Sequence, residues 1–421
     1  MTTTPVRLTP VRLTPEDIEN PAGAYARFRG QRELPQVVLP GLDTPVRLVT
    51  RYADVKAALT EPRLVRDRTG IATPAGTESD PQDELMAAAF DGFPAEYAKY
   101  LSGHLALFDG EEHARRRAPL TRAFTARRIA ALRGFVERTA DELLADLAAR
   151  DEPADLLGEF AYPLTTHLVC ELVGVEEADR PRVCDWIRDF AYGDGSRMIE
   201  GLVGIVDHVR ELVARRRSER TEDLVSALVH DTREGEQPLD EDDLISIVVL
   251  LINTGITPPA LFLAHGLLAL FDHPDQLARL RAEPKLLERA VPELLRHITL
   301  VRIGATLYAA EDFEFAGTAL RAGDPVTVAL LAADHDPQEY GEAPERLDIT
   351  REFGRGDGHL AFGHGAHYCL GAALGRLVTS VVLEQVVIRR PEAALGVARD
   401  ELEFGHWPAD GFHLLRLPVR L

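Results

Sequence analysis

The spacing of hydrophobic and polar positions predicts a chain dominated by helices. Between residues 126 and 235, apolar side chains recur at intervals of three and four, which indicates several amphipathic helices. Residues 192–196, with the sequence Tyr-Gly-Asp-Gly-Ser, break this pattern and predict a loop between two of the helices. Nearer the N-terminus, residues 40–50 predict a strand with a turn, and residues 54–60 predict a short helix.

The longest apolar run covers residues 244–271 and is long enough to cross a membrane. Its flanks are acidic and lack the positive bias of a membrane span, and its interior is interrupted by polar residues and prolines. A helix buried through the middle of a soluble protein fits this pattern better. The interrupting positions are Asn253, Thr254, Thr257, Pro258, Pro259 and His265.

The first 14 residues contain two tandem copies of Thr-Pro-Val-Arg-Leu, and a third copy begins at Thr44. Two copies of five residues do not make a repeat architecture. We therefore predict a flexible tail over residues 1–14 and a single domain over residues 15–421. Within it, residues 68–103 combine glycine, proline and acidic residues with later aromatics, which predicts a loop-rich segment with short helices.

The composition of the chain excludes some classes of protein. The formal net charge of −21 argues against nucleic-acid binding, because phosphates would be repelled over most of the surface. Cys170, Cys184 and Cys369 are too few to form a disulfide framework, so a reducing cytoplasm is expected. The N-terminus shows no basic segment followed by an apolar one, so we expect neither a signal peptide nor a membrane anchor.

The strongest chemical signal lies in residues 362–371, Phe-Gly-His-Gly-Ala-His-Tyr-Cys-Leu-Gly. A helical pattern follows, so the segment predicts a glycine-rich loop that presents a thiol at a helix N-terminus. The positive end of the helix dipole favours a thiolate there. A cysteine at such a place is more often a small buried apolar residue, but that reading does not explain the fixed offsets of the neighbouring residues.

Those offsets resemble the haem-binding loop of the cytochrome P450 family, F-G-x-G-x-H-x-C-x-G. All six defined positions match: Phe362, Gly363, Gly365, His367, Cys369 and Gly371. The resemblance runs from about residue 40 to the end of the chain. It implies a mainly α fold with small β-sheets, in which haem b (iron protoporphyrin IX) is buried between a long central helix and the helix after the cysteine loop. Cys369 is then the iron ligand.

Weaker motifs follow in the order the family shows. His113 and Arg117 are four residues apart and share one helix face, which is a solvated basic face or, by the resemblance, a pair that holds the haem propionates with His367. Family members often carry a further propionate-binding arginine where this chain has Leu307. Either Arg302 replaces it or one contact is lost.

Two further groups of charged residues resemble family features. Glu293 and Arg296 match a structural E-x-x-R motif, which the family ties to a later arginine, here Arg346. This trio bears on folding and haem retention. Arginines at 115, 116 and 122 lie beside the propionate pair in the sequence and predict a local basic patch for an acidic electron donor.

The central apolar helix departs from the family pattern. Alignment on Gly255 puts Thr257 where most members have an acid and Pro258 where they have a threonine, a pair that usually guides protons to bound dioxygen. Pro258 and Pro259 lack N–H groups, so we predict a marked kink that frees the carbonyls of Thr254 and Gly255. These carbonyls and the Thr254 and Thr257 hydroxyls would hold waters that relay protons. Alternatively, the prolines only shape the pocket.

By the same resemblance, the substrate pocket lies under a mobile helix–loop–helix cover near residues 190–200. Trp407 and Pro408, just before the final strand that the resemblance implies, are further candidates for reaching it. The residues predicted to line the pocket are Phe90, Phe93, Asn253, Gly255 and Val301.

The function that follows is a haem-dependent monooxygenase that hydroxylates, epoxidises or couples a small organic molecule, such as a secondary metabolite. No flavin or iron–sulfur motif occurs, so electrons are expected from a separate ferredoxin and ferredoxin reductase. Because the acid–alcohol pair is missing, two alternatives stay open. One is a peroxide-driven or substrate-assisted oxidase, such as an aromatic coupling enzyme, and the other is a non-catalytic haem-binding protein.

Overall fold

The structure is a computed structural model that describes residues 10–71, 80–90, 92–102, 105–231, 237–354, 356, 358–407 and 411–421. In these residues helices predominate, as the hydrophobic periodicity predicts. The α-helices are α1 (Pro15–Glu19), α2 (Pro21–Ala24), α3 (Ala26–Arg29), α4 (Tyr52–Ala58), α5 (Pro81–Phe90), α6 (Ala95–Ser102), α7 (Gly110–Ala123), α8 (Ala126–Ala131), α9 (Arg133–Ala148), α10 (Tyr162–Val173), α11 (Arg180–Tyr192), α12 (Gly195–Ser218), α13 (Leu224–His230), α14 (Glu241–Asp272), α15 (Pro274–Ala282), α16 (Leu287–Ile298), α17 (Leu330–Asp334), α18 (Pro337–Tyr340) and α19 (Ala372–Val382).

The strands are short and lie mostly near the two ends of the chain. They are β1 (Val11–Arg12), β2 (Gln36–Val38), β3 (Val46–Val49), β4 (Leu64–Val65), β5 (Ala154–Asp155), β6 (Leu307–Ala309), β7 (Phe313–Phe315), β8 (Thr318–Leu320), β9 (Pro325–Val328), β10 (Ala394–Leu395), β11 (Phe404–Trp407), β12 (Gly411–Leu414) and β13 (Pro418–Arg420). The largest sheet has six strands in the order β1-β2-β3-β9-β6-β4, and a smaller one has the order β10-β13-β5. Two hairpins, β7–β8 and β11–β12, complete the described sheets.

The predicted flexible tail is too long. Val11 and Arg12 form β1, which pairs in parallel with Val37 and Val38 of β2. Leu13 is 2% exposed, and the Thr14 side chain caps α1 by accepting a hydrogen bond from the Asp17 N–H. The same Val-Arg-Leu sequence thus provides strands on both sides of β2, since β3 also contains it. Residues 1–9 of the predicted tail lie outside the described residues.

Helix α14 is the central element of the helical layer. Its N-terminus is fixed by Asp240, whose carboxylate accepts a hydrogen bond of 2.7 Å from the Asp243 N–H, and acidic residues in its first turn favour the positive end of the dipole. The helix packs against α6, α10, α11 and α12 and supplies many buried side chains to the main hydrophobic core. By length and composition α14 could span a membrane, but 56% of its most apolar window is buried inside the protein. The predicted buried central helix is therefore confirmed.

Helix α14 continues through Pro258 and Pro259 without interruption. The two prolines do not end the helix, although each removes one backbone donor from its ladder. The predicted break between two helices is confirmed, but the loop is shorter than residues 192–196, because α11 ends at Tyr192 and α12 begins at Gly195.

A buried charge cluster links α16 to the segment before the cysteine loop. Glu293 and Arg296 are both fully buried, and two hydrogen bonds of 2.8 and 2.9 Å join their side chains. The Arg296 guanidinium also donates to the carbonyls of Asp334 and Pro344 at 2.7 and 2.6 Å, which fastens the later loop onto α16.

The prediction that Arg346 is the third member of this cluster is wrong. Arg351, not Arg346, places its guanidinium on Glu293, with Nε 3.1 Å from Oε2. Arg346 is exposed and contributes its main-chain carbonyl to Arg296 instead. The number of residues between the E-x-x-R motif and a later arginine does not show which of two arginines on one irregular segment contacts Glu293. The path of the loop determines which side chain points inward.

This arrangement predicts that substitutions of Arg351 and Arg346 lower the free energy of unfolding by different amounts. Arg351→Ala removes one hydrogen bond from a buried carboxylate and should lower the free energy of unfolding by about 1–3 kcal/mol. Glu293→Ala leaves the Arg296 charge buried and unpaired and should cost about 3–5 kcal/mol. Arg346→Ala is the matched control and should stay within about 0.5 kcal/mol of the parent. Urea unfolding followed by circular dichroism measures all three, and an Arg346→Ala cost equal to that of Arg351→Ala would contradict the assignment.

Candidate functional site

The cysteine loop is built on two glycines that adopt left-handed backbone conformations. Gly363 has φ of 69° and Gly365 has φ of 73°, which side chains with a Cβ rarely tolerate. A Cβ on Gly365 would lie 2.6 Å from the carbonyl oxygen of Leu59, so only glycine fits there. The turn is closed by the Cys369 N–H, which donates to the Phe362 carbonyl at 2.9 Å. The loop then enters α19 with Gly371 as its N-cap residue.

The Cys369 thiol is under opposing electrostatic influences. Its side chain is exposed, yet enough protein surrounds it that desolvation raises the pKa of the thiol. The Gly371 N–H and the nearby charges of Arg117 and Arg376 act in the opposite direction and lower that pKa. The net shift of the thiol pKa is upward, so desolvation outweighs the donor and the cations around it.

A basic cradle lies beside this loop, formed by His113, Arg117, His367 and Arg66. The rings of His113 and His367 are 4.1 Å apart between centroids, so α7 and the cysteine loop meet through them. Arg117 donates a hydrogen bond to the Tyr368 carbonyl. The structure thus brings together the three residues that the sequence predicted as propionate ligands.

Both histidines of the cradle favour the neutral form. Burial, together with the neighbouring His367, Arg117 and Arg66, lowers the pKa of His113 to about 4, although Asp109 acts in the opposite direction. Burial also lowers the pKa of His367, although Asp109, whose Oδ1 lies 3.5 Å from His367 Nε2, opposes this shift. Nε2 of His113 is buried and has no hydrogen-bond partner among the described residues. An orphaned polar atom beside the guanidinium groups of Arg117 and Arg66 suits an added anionic group.

Arg66 is a member of the cradle that sequence reasoning missed. Desolvation lowers the pKa of its guanidinium, and its Nε is buried without a partner in the described part of the chain. The Asp109 carboxylate holds this segment by accepting the N–H groups of Arg66 and Asp67 at 2.6 and 2.8 Å. No motif marks Arg66, since it reaches the cradle only because β4 ends beside the start of α7.

The structure places Arg302 elsewhere. Its Nε lies 2.8 Å from the Glu19 carboxylate, and its Nη1 donates to the Leu300 carbonyl at 2.9 Å. Together with His265 and His297 it lines a separate cavity of about 650 Å³. The prediction that Arg302 replaces the missing propionate arginine is therefore wrong, because its charge is already committed to Glu19. Leu307, at the usual arginine position, is buried in β6.

The predicted basic patch is also largely neutralised within the chain. Arg115 and Arg116 both lie within 2.7 Å of the Glu112 carboxylate. Each also pairs with the buried Asp243, at 2.9 and 2.6 Å. These arginines brace α7 against the first turn of α14 and do not form an open cationic surface.

The three predicted residues of the atypical helix segment differ in their surroundings. Thr254 is exposed, and its hydroxyl donates to the Leu250 carbonyl at 2.7 Å. Thr257 is 8% exposed, and its hydroxyl has no hydrogen-bond partner among the described residues. Pro258 is half-buried inside α14.

The predicted pocket residues do not all lie on one surface. A Cβ on Gly255 would come within 2.9 Å of the Val169 side chain, so the absence of a side chain at Gly255 allows the close contact between α14 and α10. Val301 is 43% exposed, and Asn253 is half-buried. Phe93 packs edge-to-face on Phe190 of α11, with centroids 6.5 Å apart.

Three other pocket candidates, the side chains of Phe90 and Trp407 and the whole of Pro408, lie outside the described residues.

Comparison with known proteins agrees with this architecture. The cytochrome P450 family profile matches residues 181–389. Cytochrome P450 107B1 of Saccharopolyspora erythraea is 36% identical over 385 residues, which cover 90% of each chain. Mycinamicin IV hydroxylase/epoxidase of Micromonospora griseorubida is 34% identical over 404 residues, 95% of this chain and 94% of that protein. The solved structure of the bacillaene polyketide synthase cytochrome P450 PksS of Bacillus subtilis 168 superposes with a TM-score of 0.81 at 30% identity, over 97% of this chain and 99% of that one.

The mainly helical fold and these matches define a haem-iron oxidoreductase of the monooxygenase class. The chain belongs to the cytochrome P450 family. The predicted fold class, a mainly α structure with small sheets, is confirmed.

The loop geometry predicts that alanine substitutions at Gly363 and Gly365 lower the free energy of unfolding by different amounts. Gly363→Ala and Gly365→Ala both force a left-handed backbone, which costs about 1–2 kcal/mol. Only Gly365→Ala adds a clash with the Leu59 carbonyl, because nothing lies within 4 Å of a Cβ on Gly363. We expect Gly365→Ala to lose clearly more unfolding free energy than Gly363→Ala in urea titrations. Equal losses would show that the Leu59 contact does not constrain the loop.

Proposed function

We propose that this chain is a haem-thiolate monooxygenase that inserts one oxygen atom of dioxygen into a small organic molecule, a secondary metabolite of the polyketide type or its biosynthetic intermediate. The observation that carries the proposal is the joining of the Cys369 loop to a basic cradle with an orphaned buried nitrogen on His113. Support for the substrate class comes from relatives named as a 6-deoxyerythronolide B hydroxylase and a mycinamicin IV hydroxylase/epoxidase.

Two groups of residues in the site fit haem b. One group would bind the iron, and the other would hold the propionates. The Cys369 thiol, exposed on its loop, would bind the iron, and Phe362, Gly363 and Gly371 would shape the loop around it. His113, Arg117 and His367, with Arg66 added, would hold the two propionates by charge-assisted hydrogen bonds. The unpartnered Nε2 of His113 and Nε of Arg66 are the atoms such carboxylates would satisfy.

Bound haem would supply the activation of dioxygen, and the chain would supply the surroundings. Arg117 and Arg376 lie near Cys369 and stabilise its negative form. Arg376 is itself held by the Tyr368 hydroxyl at 2.9 Å. Asn253 and Val301, with Phe93 and the α11–α12 loop as a cover, would exclude water and orient the substrate. We infer that one haem-binding domain spans the chain from β1 to residue 421 and works in the cytoplasm.

Electrons would come from a ferredoxin and its reductase that dock on the face carrying the cysteine loop. A second candidate function is favoured by one feature of α14, where Thr257 and Pro258 occupy the positions of the usual acid and alcohol. An oxidase driven by peroxide, or assisted by a substrate group, would not need that pair. The two functions differ in the oxidant that supports turnover.

The role of Cys369 is tested by the spectrum of the reduced protein with carbon monoxide. Cys369→Ala should abolish the absorption band that a thiolate ligand gives, because no other described cysteine is near the cradle. Cys184→Ala is the matched control, since Cys184 lies on α11 and should leave the band unchanged. A band that survives in Cys369→Ala would show that another residue binds the iron.

A further inference from the structure

A second cavity lies between the C-terminal half of α14 and the end of α16, and none of the described residues that line it belongs to the cysteine loop or the cradle. Its volume of about 650 Å³ suits a small organic molecule and exceeds what a single ion fills. Its walls combine apolar side chains, histidines and charged residues. They include Leu268, Ala269, Ile298, Leu331, Phe404, His265, His273, His297, His335, Glu19, Asp272, Glu345, Arg302 and Arg399.

A hydrogen bond to the main chain fixes which nitrogen of His335 carries a proton. Its Nε2 lies 3.0 Å from the carbonyl oxygen of His297, and because a carbonyl only accepts, Nε2 is the N–H. Nδ1 of the uncharged ring then presents a lone pair. His335 is 6% exposed, and this Nδ1 is buried with no hydrogen-bond partner among the described residues. The ring therefore offers a buried acceptor at the wall of the cavity.

His335 is uncharged at neutral pH. Burial lowers the pKa of its ring to about 3, the charges of Arg296 and Arg29 and the neighbouring His297 act in the same direction, and the bond to the His297 carbonyl opposes them. Nδ1 is thus an acceptor, and a buried acceptor without a partner is costly. A bound molecule that donates an N–H would remove this cost.

His273 adds a second acceptor to the same wall. Its Nδ1 lies 2.7 Å from the carbonyl oxygen of Ala269, so Nδ1 is the N–H and Nε2 of the uncharged ring holds the lone pair. The His273 ring meets the His297 ring edge-on, with centroids 5.7 Å apart. The His297 ring in turn stacks on His335 at 5.9 Å. Three imidazoles therefore form a continuous wall with acceptors on both outer rings.

The charged residues around the cavity leave one carboxylate over. Arg302 pairs with Glu19 at 2.8 Å, and Arg399 pairs with Asp272 at 3.1 Å. Glu345 is exposed, lines the cavity, and forms no ion pair with any other residue that the structure describes. The lining thus has three carboxylates against two guanidinium groups, and this excess of negative charge favours a cationic ligand.

An organic cation fits these walls better than a metal ion does. In the described part of the chain, no group of three or more histidine, cysteine, aspartate or glutamate side chains is arranged to hold a metal. The apolar side chains of the wall, with Phe404 38% exposed among them, instead suit a hydrocarbon body.

From this combination we propose that the cavity binds a small organic ammonium ion with an apolar or aromatic body. Its N–H donates to Nδ1 of His335, its charge is stabilised by the Glu345 carboxylate, and its body packs on Leu268 and Phe404. The site is separate from the one proposed for haem and does not depend on the reaction carried out there, so a failure of either proposal leaves the other standing.

The test measures binding of 2-phenylethylamine to haem-loaded protein that is reduced and saturated with carbon monoxide, so that the iron has no free position for the amine. By isothermal titration calorimetry, the Kd of the amine should be about tenfold or more below that of 3-phenylpropanoate, an anion of similar length that only accepts hydrogen bonds. Ala269→Phe places a ring in the cavity and should weaken amine binding about tenfold or more. No binding of the amine, equal affinity of the two probes, or unchanged binding in Ala269→Phe would overturn the proposal.

Glu345→Gln and Glu342→Gln form a matched pair of variants. Each removes one exposed charge from the same segment, but of the two only Glu345 lines the cavity. Glu345→Gln should weaken amine binding about two- to fivefold, as expected for an exposed charge pair, and Glu342→Gln should leave it unchanged. Equal effects of the two variants would contradict the proposal.

A second readout reports on the acceptor itself. In reduced, carbon-monoxide-saturated protein labelled with 15N-histidine, the iron is diamagnetic, and the Nδ1 resonance of His335 is identified by its loss in His335→Gln. The amine should move this resonance upfield, because the lone pair accepts a hydrogen bond, and 3-phenylpropanoate should not. If the amine leaves the resonance in place, or if Zn²⁺ binds at this nitrogen and excludes the amine, the proposal is wrong.

Discussion

The hydrogen bond from the Cys369 N–H to the Phe362 carbonyl, closed by two left-handed glycines, is the constraint on which the site depends. It fixes the direction of the thiol and lets the loop enter α19 at once. It also sets the position of His367, whose ring lies 4.1 Å from that of His113 of α7 at an interplanar angle of 36°. A shift of this turn would move the iron ligand and the propionate cradle together. The buried Glu293–Arg296 pair supports the same region from behind, through the carbonyls of Asp334 and Pro344.

On the opposite side of the site, α14 lacks backbone donors and an acidic side chain. Its prolines remove two backbone donors without ending the helix, and no acid stands at the position of Thr257. Small-residue packing of Gly255 against Val169 holds the helix close to α10. At the position of the usual acid, Thr257 leaves a buried hydroxyl.

A structural feature could be predicted from the sequence when the residues that interact in it lie close together along the chain. Local spacing predicted α14, the Glu293–Arg296 pair and the shared face of His113 and Arg117, because each is set within one helix. The cysteine loop was predicted as a unit, since its glycines, cysteine and histidine lie within ten residues.

Long-range partners were not predictable in this way. The choice of Arg351 over Arg346, and the pairing of Arg302 with Glu19, depend on how loops run past distant helices. Arg66 carries no local signal at all, because tertiary packing alone brings it to the site. Strand β1 was missed for the same reason, since two residues form a strand only when β2 lies beside them.

The central claim, that this chain uses dioxygen and a ferredoxin to insert oxygen, is tested most directly with labelled dioxygen. The haem-loaded protein would oxidise thioanisole under 18O2 with ferredoxin, its reductase and NAD(P)H, and in parallel with unlabelled hydrogen peroxide alone. The account predicts that the sulfoxide from the first reaction carries one 18O atom and that its yield exceeds that of the peroxide reaction. Efficient peroxide-driven oxidation with no labelled product from dioxygen would contradict it.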